Sequence, residues 1–407
     1  MSTLTQAEPL IRPIHDTPRA RLISARLLLL FGCSVGTLTS FYLMISVTPM
    51  YATAAGAGSA GAGLVTGVLM LASVAAEFAA PSLMNRYGSG WVLGLGALLL
   101  GAPTVLLVAS DRIVTIVAVS LARGLGFGLL VVVTGTLLVS LVPRERRGEA
   151  VGLSGAVSCV PGVVALPCGV WLAGHFGFSL VIGIATLAGL VPLVAVPWLS
   201  GVTGQRQAAA GQGGEQPIGL LAGLRRREQL RPALAFAATT VSAGVVVAFV
   251  PLALGAPGNV AAIGLFVQAI AATIGRWWAG RRGDRHGHGG LLIPGLVIAA
   301  AGMAGLIWAT SLVPLIVAMA AFGTGFGLCQ TATLAQMMDR VPASGYGMVS
   351  ALWNMAYDLG YGAGPAAFGL FVGRTGYPAA FALTAVVILV ALAPAWRDRT
   401  APRRPDS

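Results

Sequence analysis

The chain has 407 residues, 56% of them hydrophobic and only 9% charged. A water-soluble domain carries roughly 25% charge, so the composition excludes a soluble globular fold and points to an integral membrane protein. Every one of the 25 basic residues is arginine and the net charge is +12. The arginines stand in short segments beside apolar runs, which is the pattern of the positive-inside rule and not a nucleic-acid footprint, so no nucleic acid is expected as a partner.

Residues 1–21 are polar and rich in Arg and Pro, without a small-residue cleavage pattern after an early apolar core, and read as a cytoplasmic tail. Apolar runs of the roughly 20 residues needed to cross a bilayer follow at 22–50, 62–84, 91–109, 113–141, 149–173 and 178–199. The polar, Gly/Gln/Arg-rich segment 201–231 interrupts the series and reads as a cytoplasmic linker, with a short amphipathic helix expected from Ile218 to Leu230. Six more runs follow at 232–256, 260–281, 290–309, 313–337, 347–371 and 377–396, and 397–407 is a second cytoplasmic tail. The expectation is an all-α membrane protein with twelve transmembrane helices: an N-terminal half at 22–200 and a C-terminal half at 232–396. Arginines crowd the tails, the linker and the segments 85–90, 144–149 and 281–289. The opposite loops hold only Arg112 and Arg374, so both termini are expected in the cytoplasm of a cell-membrane protein.

The two halves are copies. With an offset of 199, Gly96 falls on Gly295, the run Gly124-Leu125-Gly126-Phe127-Gly128 on Gly323-Thr324-Gly325-Phe326-Gly327, Val142-Pro143 on Val341-Pro342, and Gly177 on Gly376. Because each half has the same orientation, they form a parallel repeat about an axis along the membrane normal, a design that places a site near the midplane between the halves.

The most distinctive segment is Gly275 to Gly287, a charged hinge between apolar helices. Its core is Gly280, Asp284, Arg285 and Gly287, with a weaker copy at Pro81, Asn85, Arg86 and Gly88. A glycine here permits close helix crossing, and an acid at a helix end can accept from the free amides that begin a neighbouring helix. Asp284 is therefore expected to dock near Glu149 and latch one conformation. Over nearly its whole length the sequence resembles the major facilitator superfamily. The 280–287 segment matches that family's signature loop, and Leu121-Ala122-Arg123-Gly124-Leu125-Gly126 is similar to its fourth-helix motif. Gly162-Val163-Val164-Ala165-Leu166-Pro167 resembles its exporter motif, with Leu166 where a glycine is expected. The resemblance implies a proton-coupled transporter of the drug or metabolite efflux branch, with Arg123 in proton coupling or in recognition of substrate charge.

Glu77 and Asp358 are the carboxylates well inside helices. A mid-membrane acid costs roughly 2.5–3.5 kcal/mol, so it normally faces a cavity or a partner. In the arrangement the resemblance implies, their helices face each other, and they could share a proton site. Arg276, 199 residues after Glu77, reads as either functional or snorkelling to the interface. On the penultimate run, Trp353, Asn354, Tyr357, Asp358 and Tyr361 share one helical face. With Phe41, Tyr42, Gln268 and Gln330 they form the expected substrate cavity. Cys33, Cys159, Cys168 and Cys329 read as small core residues. No phosphate loop, catalytic triad or metal constellation is recognisable, so neither enzyme activity nor a cofactor is expected. The function read from these features is export of a small organic compound by proton antiport. Proton-coupled import of a sugar or other nutrient is the alternative.

Overall fold

In the computed structural model, the residues described are 24–199 and 226–400, except 144–145, 256–257, 310 and 343–344. The first 21 residues, most of the linker (the start of the amphipathic helix expected at Ile218 included) and the last seven residues lie outside that set. Among the described residues the regular structure is helical throughout. A backbone that meets lipid must satisfy its own polar groups, and a helix does so within one segment.

The elements are α1 (Ala25–Ala52), α2 (Gly58–Tyr87), α3 (Ser89–Gly101, continued by turns to Ala109), α4 (Ile113–Leu141), α5 (Arg147–Phe176), α6 (Phe178–Leu199), α7 (Arg227–Leu254), α8 (Asn259–His286), α9 (Leu292–Gly305, continued to Trp308), α10 (Leu312–Met338), α11 (Tyr346–Val390) and α12 (Leu392–Thr400). Among the described residues, nine stretches are long and apolar enough to span a membrane. Two of them, Ala25–Tyr87 and Tyr346–Arg397, run to 63 and 52 residues, well beyond one crossing. Each is broken at a glycine with positive φ: Gly56 (86°) in the first and Gly376 (75°) in the second.

Those breaks belong to the repeat. Positive-φ glycines recur at the same 199-residue offset as Gly56 and Gly255, Gly88 and Gly287, and Gly177 and Gly376. A residue with a Cβ is strained in this region, so each pair marks the same turn built twice. Packing repeats as well. A methyl group on Gly126 would strike Gly96 O and Leu100 N, and one on Gly325 would strike Gly295 O and Ala299 N. Such contacts are how helices associate in lipid, where apolar exclusion gives little drive and small residues let backbones approach.

Within the N-terminal half, α4 packs on α2 and α3, and α1 on α5 and α6; within the C-terminal half, α8 and α9 pack on α10, and α7 on α11. The halves meet mainly along two seams, α2 against α11 and α5 against α8, and α1 also touches α7. The faces of the bundle follow from local contacts. Gln229 and Arg340, which mark the chain-termini face, bond to Met337 O and Glu228 O respectively. On the opposite face the Tyr51 hydroxyl donates to Leu107 O at 2.7 Å and its ring meets Phe178.

Candidate functional site: a cavity between two seams

On the face opposite the termini the seams are closed. Ser59 Oγ donates to Gly369 O at 3.0 Å, Gly63 abuts the Pro365 carbonyl too closely for any side chain, and a Cβ on Gly362 would sit 2.6 Å from Met70 Cβ. On the other seam a Cβ on Gly258 would meet Val170 O at 3.2 Å. Toward the termini the picture reverses: nothing lies within 4 Å of a Cβ built on Gly152, Gly155, Gly280 or Gly347. Gly280, expected to permit a close helix crossing, makes none here. The close approach on α8 falls five residues earlier, where Gly275 faces Thr324 O at 2.8 Å.

Between the closed face and these open ends lies a cavity of about 260 Å³. Its wall comes from both halves. Leu38 and Tyr42 of α1 and Gly155, Cys159, Gly162 and Leu166 of α5 face Gln268, Thr273 and Arg276 of α8, Gln330 of α10, and Tyr357 and Tyr361 of α11. Gly162 makes room for the Tyr42 ring, whose nearest atom is 3.3 Å from the position of its missing Cβ.

Of the expected substrate residues, Tyr42, Gln268, Gln330 and Tyr357 line this cavity and three others do not. Phe41 stacks on Phe127 at 4.0 Å between centroids. Trp353 stacks on Phe236 at 4.4 Å and donates from Nε1 to Thr333 Oγ1. Asn354 is half-buried outside the cavity wall. The aromatic face of α11 thus divides, Trp353 packing within the C-terminal half while Tyr357 and Tyr361 line the cavity. Of the four cysteines, Cys33 and Cys329 are buried as expected, but Cys159 is on the cavity wall and Cys168 is exposed.

The α2/α11 seam gathers the acids. Asp358, 6% exposed, lies twelve residues into α11 and interacts with Ser73 and Glu77 of α2. Asp358 Oδ2 and the Ser73 hydroxyl are buried without a well-formed hydrogen bond. Away from water, adjacent carboxyl groups accommodate one negative charge far more cheaply than two. This cluster can therefore hold or give up a proton.

Arg123 is elsewhere. It is 1% exposed, Nη1 donates to Leu100 O and Thr104 Oγ1 at 2.7 and 2.6 Å, and Nη2 donates to Ser40 O at 2.8 Å and Ser40 Oγ at 3.3 Å. It ties α1, α3 and α4 together inside one half, and the structure does not bring it to Asp358. At the hinge, Gly287 closes α8 with its N–H on Gly283 O, beside an exposed Arg285. Asp284 is exposed and without a side-chain partner among the described residues, while Glu149 is paired with Arg146 at 2.8 Å.

This two-half architecture agrees with a family comparison, in which the model of the Major Facilitator Superfamily matches residues 29–365 and 233–407. The chain belongs to that superfamily. Solved structures similar to it include the nucleoside transporter NupG, at 14% identity, 93% of this chain, 100% of that chain and a TM-score of 0.71. A bacterial homolog to the human lysosomal transporter Spinster is 15% identical over 93% and 98% of the two chains, with a TM-score of 0.72. The xylose transporter XylE from E. coli is 15% identical over 94% and 99%, with a TM-score of 0.71. At these identities the likeness is one of fold. As a member of the superfamily the chain is a multi-pass membrane transporter for a small molecule, and the family points away from an enzyme.

The cavity residue that sequence reasoning left undecided is Arg276. Read from hydropathy, its helix ends near 281 and the arginine sits close to the interface. The helix in fact runs to His286, so Arg276 lies ten residues from its end, about 15 Å of rise. Glu77 is likewise ten residues from the end of α2 at Tyr87. The two halves thus carry an acid and a cation at matching depth.

Proposed function

We propose that this chain is a proton-coupled secondary transporter of the cell membrane that exports a small organic solute in exchange for protons by alternating access. The observation that carries the proton coupling is the cluster of buried Ser73 and Asp358 with half-buried Glu77, on a seam that has to open when the cavity changes sides. In this reading twelve membrane crossings arise when each of the two overlong stretches is counted twice and Leu292–Trp308 once. The halves are 22–200 and 232–396, the linker is 201–231, and the tails 1–21 and 397–407 are cytoplasmic. The arrangement described is then inward-facing, with Asp284 free of the latch it forms near Glu149 in the outward-facing state. Arg123 serves as the brace of the N-terminal half and not as the group that expels the proton. Export is supported by the resemblance of the 162–167 segment to the exporter motif, whose Gly162 and Val163 line the cavity.

Proton-linked cotransport is the second reading, and one observation favours it. The charged group on the cavity wall is the cation Arg276, with no acid among the lining residues, so an anionic solute would bind more readily when the nearby acid pair holds a proton. Uptake of a nutrient, of the kind named for the nucleoside and xylose transporters, falls under this reading. Flux in proteoliposomes with an imposed pH gradient, over a panel of solute classes, decides between them. Exchange predicts solute moving against the proton flow, cotransport predicts movement with it, and no pH-driven flux of any class would remove both.

A further inference from the structure

Arg123 and Arg276 both lie well away from their helix ends, and their donors are used differently. Arg123 spends both terminal nitrogens on Ser40, Leu100 and Thr104. Arg276 is half-buried on the cavity wall, and among the described residues its guanidinium partners are all on Nη2: Cys159 Sγ at 3.1 Å and Thr273 Oγ1 at 3.3 Å. Both are neutral. Among the described residues the ion pair formed is Arg146 with Glu149, so no carboxylate is in contact with Arg276. A guanidinium has five N–H donors in a planar fork that matches a carboxylate, and a charge-assisted pair of this kind is the strong class of hydrogen bond.

The rest of the wall is neutral and flat. Tyr42 and Tyr357 are within electrostatic reach of both Arg276 and Asp358. Gln268 and Gln330 add amide groups, and Tyr361 continues the aromatic surface. We infer that the cavity takes an organic anion, a carboxylate carried on a flat or aromatic body, with the carboxylate on Arg276 and the body against Tyr42 and Tyr357. This rests on the transporter reading and adds the substrate class. Arg276 Nη2 donates to Cys159 Sγ, and an arriving carboxylate competes for the same nitrogen and covers the thiol.

The cysteines supply the test. The full-length protein in detergent is alkylated with N-ethylmaleimide in the presence of benzoate, neutral benzamide or benzylammonium, and each cysteine is followed by peptide mass spectrometry. Cys159 reports the cavity, exposed Cys168 is the control outside it, and buried Cys33 and Cys329 report unfolding. Benzoate is expected to slow labelling of Cys159 but not of Cys168, at concentrations about tenfold or more below those required of benzamide, the margin a charge-assisted pair supplies. Benzylammonium should not protect. Arg276→Gln should abolish protection by benzoate with Cys33 and Cys329 still silent, and Arg276→Lys should retain part of it. Equal protection by benzamide, protection by benzylammonium, protection surviving in Arg276→Gln, or no protection by benzoate each overturns the inference. If Arg276→Gln exposes Cys33 or Cys329, the three-ligand comparison on the wild-type protein decides. Protection is read without flux, so its failure leaves the transport reading standing, and an absence of flux leaves the anion site standing.

Discussion

The two seams that join the halves are built alike and charged oppositely. On α2 and α11 the closed face is a run of glycines pressed on the facing helix, and below it buried Ser73 and Asp358 meet half-buried Glu77. On α5 and α8 the closed face brings Gly258 against Val170, and below it Arg276 stands on the cavity wall with its guanidinium hydrogen-bonded to neutral Cys159 and Thr273. Duplication placed Glu77 and Arg276 at equivalent positions, and divergence gave one seam the acids and the other the cation. The lesson is that a repeat fixes where functional groups sit while leaving their chemistry free.

The largest effect that can break this comparison concerns what each buried arginine does. Arg123→Ala removes a side chain that is 1% exposed and strands the groups it binds, so it should destabilise the protein by about 2–5 kcal/mol. Arg276→Gln gives up two hydrogen bonds of a half-buried side chain and should cost no more than about 1 kcal/mol. Thermal unfolding in detergent measures both, and equal losses would show that Arg276 is a structural brace like its counterpart.

A smaller effect sharpens the contrast between closed and open ends. Gly63→Val has no space against the Pro365 carbonyl, whereas Gly152→Val meets open space. The first should cost roughly 1–3 kcal/mol as an overpacked contact. The second should leave unfolding unchanged yet stop transport, because the opposite conformation needs that surface to close. Full transport by Gly152→Val would mean that this end never closes. The smallest effect is at the hinge: Asp284 is exposed, so Asp284→Asn should shift stability by no more than about 0.5 kcal/mol. Turnover should nevertheless fall severalfold in a flux assay, since the latch forms in the other state. Wild-type turnover would reduce Asp284 to a solvated cap.

Much of this was legible in the amino-acid order. The 199-residue offset pairs Gly177 with Gly376, and the turns at those glycines are the same turn. Glu77 and Asp358 stood out because few acids fall inside apolar runs, and the α2/α11 seam brings them together. What stayed hidden depends on side-chain direction and helix length. Phe41 and Trp353 share a helix with cavity residues, yet their rings turn into packing against Phe127 and Phe236. Hydropathy ends a helix where charge begins, so it cut α8 short at Arg281. That truncation made Arg276 look like a helix-end residue, when it stands ten residues before the end of α8 and on the cavity wall.

The central claim is that the acid cluster couples protons to solute movement, and one measurement meets it directly. Proteoliposomes carrying wild type, Asp358→Asn or Glu77→Gln are loaded with a transported solute and given a pH gradient, with equilibrium exchange of the same solute measured in parallel. Asp358→Asn is predicted to keep exchange down the solute's own gradient and to lose pH-driven accumulation, and Glu77→Gln to weaken it. Undiminished pH-driven accumulation by Asp358→Asn would contradict the account and move the coupling site away from the α2/α11 seam.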